Sequence, residues 1–151
     1  MDRINRMRTF QDDDMNIMVS WFEDSEVHKR LGGMLPLQEW YSFAKDNKSY
    51  NIWVAEQEGK IIGISMVEIE EGTGSIALLI DPSLRGKGLG KEIIRKTMLL
   101  GEMKDLKKWF AGIEMDNIAC LKCFESNGYS YEDIRPDEDG YYSLIYIPDV
   151  D

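Results

Sequence analysis

Seven consecutive residues hold the densest chemistry in this chain: Arg85-Gly86-Lys87-Gly88-Leu89-Gly90-Lys91. Three glycines alternate among three cations, after an apolar run and before an amphipathic one. The first four N–H groups of a helix have no intrahelical acceptor and sit at the positive end of its dipole. Glycine allows positive φ and lets a ligand approach the backbone closely. A cationic, glycine-rich helix start therefore suits an anion such as a diphosphate.

The rest of the chain has the opposite sign. The formal net charge is −10 over 151 residues, whereas residues 85–108 carry eight Lys or Arg against three acids. The segment is +5 and the remainder −15. This balance argues against non-specific binding to nucleic acid or an anionic membrane. It suggests an anion at the strip and a cation elsewhere. Cys120 and Cys123 are the only cysteines. They make no disulfide framework, lack the further ligands of a zinc site, and do not sit at a helix start as a thioredoxin pair does. No apolar run is long enough to span a bilayer, and residues 1–14 lack the apolar centre of a signal peptide. The expectation is a cytoplasmic protein with no metal.

The elements that position these residues are read from periodicity. Residues 4–11 make a first strand. Acids at 12–14 open a helix with Met15, Met18, Val19 and Phe22 on one face, and Pro36 opens a second. Strands follow at 49–57, 61–70 and 75–81. The helix after the glycine turn places Ile93, Ile94, Met98, Leu99 and Met103 on one face. A strand at 107–115 leads to a helix capped by Asp116 or Asn117 and ended by Gly128. Residues 129–135 and 140–148 form a last hairpin. The expected fold is α/β (α+β): one domain over 1–151, with a mixed, largely antiparallel six- to seven-stranded sheet flanked by about four helices.

Three motifs compete for the glycine turn. A Walker loop would need Gly where Arg85 stands and a hydroxyl where Glu92 stands. A Rossmann fingerprint needs Gly-x-Gly-x-x-Gly, and the spacing here is Gly-x-Gly-x-Gly. The stretch from Arg85 to Gly90 instead resembles the Arg/Gln-x-x-Gly-x-Gly/Ala signature of the GNAT acyltransferases. The lead-in Ile80-Asp81-Pro82 and the later run from Asn117 to Phe124, Gly128 and Tyr129 are similar to that family too, and so is the element order.

The resemblance implies an acetyl-CoA site and direct acetyl transfer to an amine in a ternary complex. The backbone from Gly86 to Lys91, including Lys87, Gly88, Leu89 and Gly90, would cradle the diphosphate beside Arg85. Leu78, Leu79 and Ile80 would run along the pantetheine arm, and an N–H near Leu79 or Ile80 would polarise the thioester carbonyl. Asn117 would bond the arm from the other side, a role compatible with capping a helix.

Two family positions depart from the pattern. The usual proton-donating Tyr, seven residues after the Asn, is Phe124. The usual Glu positions hold Gly112 and the acid-free run 75–80. Glu114 and Asp116, Glu68 and Glu70, and Cys123 with Cys120 remain as catalytic candidates, each read equally as an ordinary solvated acid or buried thiol. For the acceptor the candidates are Trp21, His28 and Tyr142, with Trp40, Tyr41 and Tyr146. Aromatics at helical and strand spacing are also ordinary core. The run from Ser20 to Trp40 resembles aminoglycoside and related small-amine acetyltransferases, and together with the acidic remainder this resemblance favours a small cationic amine, aminoglycoside- or polyamine-like. Acetylation of protein N-termini or lysines, and a non-catalytic acyl-CoA sensor, are the alternatives. A homodimer is left open.

Overall fold

The computed structural model describes residues 2–148. Its centre is a seven-stranded sheet in the order β1-β2-β3-β4-β5-β7-β6. The strands are β1 (Arg6–Thr9), β2 (Tyr50–Gln57), β3 (Lys60–Glu70), β4 (Thr73–Ile80), β5 (Lys108–Glu114), β6 (Ser130–Tyr131) and β7 (Tyr141–Tyr146). All neighbours are antiparallel except β4 and β5. That one parallel pair needs a crossover, which is α4 (Leu89–Met98).

Strand alternation assigns the two faces. Val67 of β3 packs toward α4, where Ile93 and Ile94 are fully buried, a β-bulge opposite Ala55 and Glu56 turns Ile62 to the same side, and α5 (Ile118–Glu125) completes it with Leu121 and Phe124. Ile64 and Met66 face the other way, onto α1 (Met15–Trp21) and α3 (Leu37–Asp46). Gly63 lets α4 pack closely on β3, since a Cβ there would run into Ile93 Cδ1 and press on the Leu79 carbonyl at 3.2 Å. The hydroxyls of Thr97 and Ser65 bond each other at 2.8 Å in the same buried interface.

Three details differ from the sequence reading. The described residues form five α-helices, the additional one being α2 (Ser25–Leu31). It forms because Asp24 caps it, accepting from the N–H groups of Glu26 and Val27, and because Glu26 and Arg30 pair at i,i+4. On α1 the buried positions are Met18 and Trp21, with Phe22 just beyond, and Val19 is exposed. The α4 helix stops at Met98, and Met103 reaches the core from a short 3-10 turn.

The first helix is tied down by charge. Arg8 bonds both Asp14 and Glu56 at 2.8 Å, and the two acids are 6% and 8% exposed. Burial alone would raise the Asp14 carboxyl, but the Arg8 bonds and the Gln11 N–H outweigh it and hold it below the usual aspartate range. Removing one member of a buried pair strands the others, so Arg8→Ala should destabilise the fold by about 3 kcal/mol or more in urea unfolding at pH 7. Because the folded-state value of Asp14 is depressed, its stabilisation is fully present above about pH 4 and fades below it. The wild-type advantage over Arg8→Ala should therefore narrow as pH falls through that range.

Candidate active site

Strands β4 and β5 are paired only at their beginnings. The ladder joins Thr73 to Lys108, Gly74 to Trp109 and Ser75 to Phe110, and then stops. On its other edge β4 stays paired to β3 as far as Ile80. From Ile76 onward, β4 therefore offers unpaired backbone groups on its β5 side. Such groups carry an obligatory hydrogen-bonding demand. The strands diverge around a cleft of about 390 Å³.

The cleft has four walls. One is β4, through residues 76–80. The second is the glycine turn with the start of α4. The third is β5 and α5, through Gly112, Ile113, Glu114, Asn117, Cys120 and Phe124. The fourth is α2, which lies across the opening with Glu26, Val27, Arg30 and Leu31.

At the turn, Gly86 has φ 75° and Gly88 has φ 80°, a conformation L side chains rarely adopt. A Cβ at either position would meet nothing within 4 Å, so open space lies over that backbone. Gly88 is the N-cap of α4, whose first N–H groups have no intrahelical acceptor. Gly90 is different. It is buried, and a Cβ would come 3.0 Å from Cys123 Sγ and 3.3 Å from Ile80 Cδ1. It lets α4 settle against β4 and α5. These features fit a diphosphate with an extended arm running along β4.

The positive strip separates into two groups. Arg95 and Lys96 are paired with Asp2, and Lys108 with Glu132. Lys87 and Lys91, beside the turn, are exposed and have no ion pair among the described residues. Arg85 bonds Asp24, the acid that caps α2, and so fastens the turn to the helix over the cleft.

Where α2 meets β5, the cleft wall is acidic around one arginine. Arg30 Nη1 is 2.7 Å from Asp116 and 3.3 Å from Glu114, and its Nε is 2.8 Å from Glu26. Asp116, Glu26 and Glu114 together hold the guanidinium above its already high value, so it stays charged. Tyr141 lies opposite Glu114 in the β5–β7 ladder and also lines the cleft. The loop over residues 132–140 adds five acids against one arginine.

Of the residues singled out in the sequence, Leu78, Leu79, Ile80, Arg85, Gly86, Gly88, Leu89, Gly90, Asn117, Glu114 and Cys123 all line the cleft. Asn117 also caps α5, accepting from the Cys120 N–H at 3.4 Å. Burial pushes the Cys120 thiol up to about 12 and raises Cys123 as well, so neither is a thiolate at neutral pH.

Of the other candidates, Glu70, Trp40, Tyr41 and Tyr146 do not line the cleft, and four more lie elsewhere. Trp21 is 5% exposed within the core under α1. His28 is on the outer face of α2, exposed. Glu68 is exposed on β3, opposite Tyr50. Tyr142 alternates with Tyr141, and faces the core against Tyr131 at 5.0 Å between ring centres. Glu26, Arg30 and Tyr141 were missed. The i,i+4 spacing of Glu26 and Arg30 was the available signal for the first two.

A sheet splayed beside a glycine-rich helix start, with an apolar cleft between the strands, is the frame of an acyl-CoA transferase. Residues 15–129 match the Acetyltransferase (GNAT) family, and the chain belongs to it. YfmK of Bacillus subtilis (strain 168), an uncharacterized N-acetyltransferase, is 35% identical over 145 residues, covering 96% of this chain and 98% of its own. Two solved structures share the fold at lower identity. Aminoglycoside acetyltransferase AAC(6')-Ib, in complex with coenzyme A and kanamycin, superposes with TM-score 0.79 at 19% identity, over 93% of each chain. Spermidine N-acetyltransferase from Vibrio cholerae, in complex with CoA and spermine, gives 0.80 at 16%, over 94% of each. The protein is thus an N-acetyltransferase of the GNAT family. No helix among its described residues is long and apolar enough to cross a membrane.

Proposed function

We propose that this enzyme acetylates a primary amine on a small cationic molecule, with acetyl-CoA as the donor and Glu114 as the proton acceptor. The observation that carries the acceptor class is the convergence of Glu26, Glu114 and Asp116 on Arg30, where the α2 and β5 walls of the cleft meet. One arginine cannot balance three carboxylates, and Lys29 reaches only Asp116, at 3.7 Å. The mouth thus attracts an ammonium group.

Acetyl-CoA supplies the activated acyl carbon and a thiolate leaving group. The N–H groups from Gly86 to Lys91, with Lys87 and Lys91, hold the diphosphate, and the open edge of β4 at Leu78, Leu79 and Ile80 bonds the arm. Asn117 bonds it from α5 with the amide nitrogen its cap leaves unused. The Ile80 N–H, which points away from β3, stabilises the oxyanion as the C–N bond forms and the C–S bond breaks. An alkylamine has a pKa of about 10.4, so its nitrogen must lose a proton before it attacks. Glu114 takes that proton, directly or through one water. Phe124 leaves no essential gap. A thiol near pKa 8.5 departs readily as thiolate at neutral pH, so no side chain need protonate it. The two free cysteines suit a reducing cytoplasm.

The reading is tested with a panel of amines that differ only in a second charged group, followed by thiol release. Diamines and amino sugars should exceed otherwise matched neutral-tailed amines by about 10-fold or more in kcat/KM at low salt, with the gap shrinking as salt screens it. Equal rates for diamines and matched neutral-tailed amines would reject the cationic acceptor.

A further inference from the structure

We propose a second binding site, separate from the acyl cleft, that takes a small organic ammonium ion by cation–π contact. It is the surface hollow of about 350 Å³ where the α2–α3 connection meets the start of β2. Trp40 and Phe43 supply one wall from α3, Tyr50 the second from β2, and Met34 the floor of the connection. None of its lining residues lines the acyl cleft.

Three observations point to a cation. The first is ring geometry. Trp40 and Tyr50 stand 6.2 Å apart between ring centres at 79°, and Phe43 and Tyr50 stand 6.1 Å apart at 76°. These edge-to-face contacts lock the three rings around the hollow, and a ring face turned into it would attract an alkylammonium. The second is preorganisation. Trp40 Nε1 donates to the Tyr50 hydroxyl at 3.2 Å, which fixes the two rings without a ligand. The third is charge. Glu39 lines the hollow, Glu68 is the cross-strand partner of Tyr50, and no Lys or Arg is among the lining residues. Phe43 is 55% exposed, a large apolar surface left in water at the rim. A packed core would have covered that ring. A cationic methyl group covers it and keeps its counter-charge at Glu39.

The occupant is an ammonium with small alkyl substituents, because the hollow is shallow and its walls are rings rather than a ladder of hydrogen bonds. This site is independent of the acetyl-transfer reading and is measured without acetyl-CoA. Choline chloride is titrated into the protein by NMR at constant ionic strength, next to its uncharged isostere 3,3-dimethyl-1-butanol. Shifts should map to Trp40 and Tyr50, choline should bind about 10-fold more tightly than the isostere, and Phe43→Ala should weaken it about 5-fold. Phe43 is exposed, so that variant keeps its fold, checked by an unchanged Tm. Glu114→Gln should leave choline binding as it is. Equal binding of the neutral isostere would overturn the site. So would choline shifts that vanish in Glu114→Gln and persist in Phe43→Ala, since these place the cation at the acyl cleft instead.

Discussion

Replacing Gly88 with Asp is expected to remove measurable acetyl-CoA binding while leaving a folded protein. The residue caps α4 at φ 80°, so any side chain there costs about 1–2 kcal/mol of backbone strain. The larger effect is electrostatic. The new carboxylate would project into the open space over the turn, where nothing lies within 4 Å. At about 5 Å and an effective dielectric of about 20, each negative charge of the ligand is repelled by about 3 kcal/mol, a loss of about 100-fold. Gly88→Ala separates the two effects. It carries the strain without the charge and should weaken binding far less. Calorimetric titration of both variants, with Tm as the check on folding, reads the difference directly. Equal affinity in Gly88→Asp and wild type would show that the diphosphate does not lie on this turn.

The second large effect is at Glu114. Glu114→Gln preserves shape, and Arg30 keeps its bonds to Asp116 and Glu26, so the mouth of the cleft stays assembled. A positioned general base contributes about 10²–10⁴-fold, and kcat should fall by about 100-fold at pH 7 with acetyl-CoA affinity unchanged. The loss should shrink toward pH 10, where solution supplies the unprotonated amine. Arg30→Gln is the control. A purely structural role for Glu114 would make the two variants equal, with pH profiles parallel to wild type.

The sequence made the cofactor side of the site legible and left the acceptor side obscure, for physical reasons. The glycine turn is local: N–H groups, positive φ and charge all lie within seven residues, so spacing alone describes them. The position of Asn117 at a helix start is local in the same way. The acceptor end is assembled across elements. Arg30 on α2 meets Glu114 and Asp116, more than eighty residues away, and no periodicity announces such a meeting. Tyr141 and Tyr142 are adjacent, identical residues, and a strand sends them to opposite faces. Only the pairing of Glu114 with Tyr141 decides which one reaches the cleft. The helical face expected through Met15, Met18, Val19 and Phe22 leaves Trp21 out, whereas Val19 is the exposed residue. The true face is turned toward Trp21, which packs beneath the sheet. The splay of β4 from β5 was also invisible, since both strands read as continuous apolar runs and the ladder simply ends at Ser75 and Phe110.

The claim on which all of this rests is that the glycine turn and the splayed strands bind acetyl-CoA. Calorimetric titration of the wild-type protein with acetyl-CoA, desulfo-CoA and ATP tests it most directly. Both CoA compounds should bind saturably, one to one, and ATP not at all, because the diphosphate alone, without an arm along β4, leaves the cleft empty. Absence of binding by acetyl-CoA, or equal binding of ATP, would contradict it.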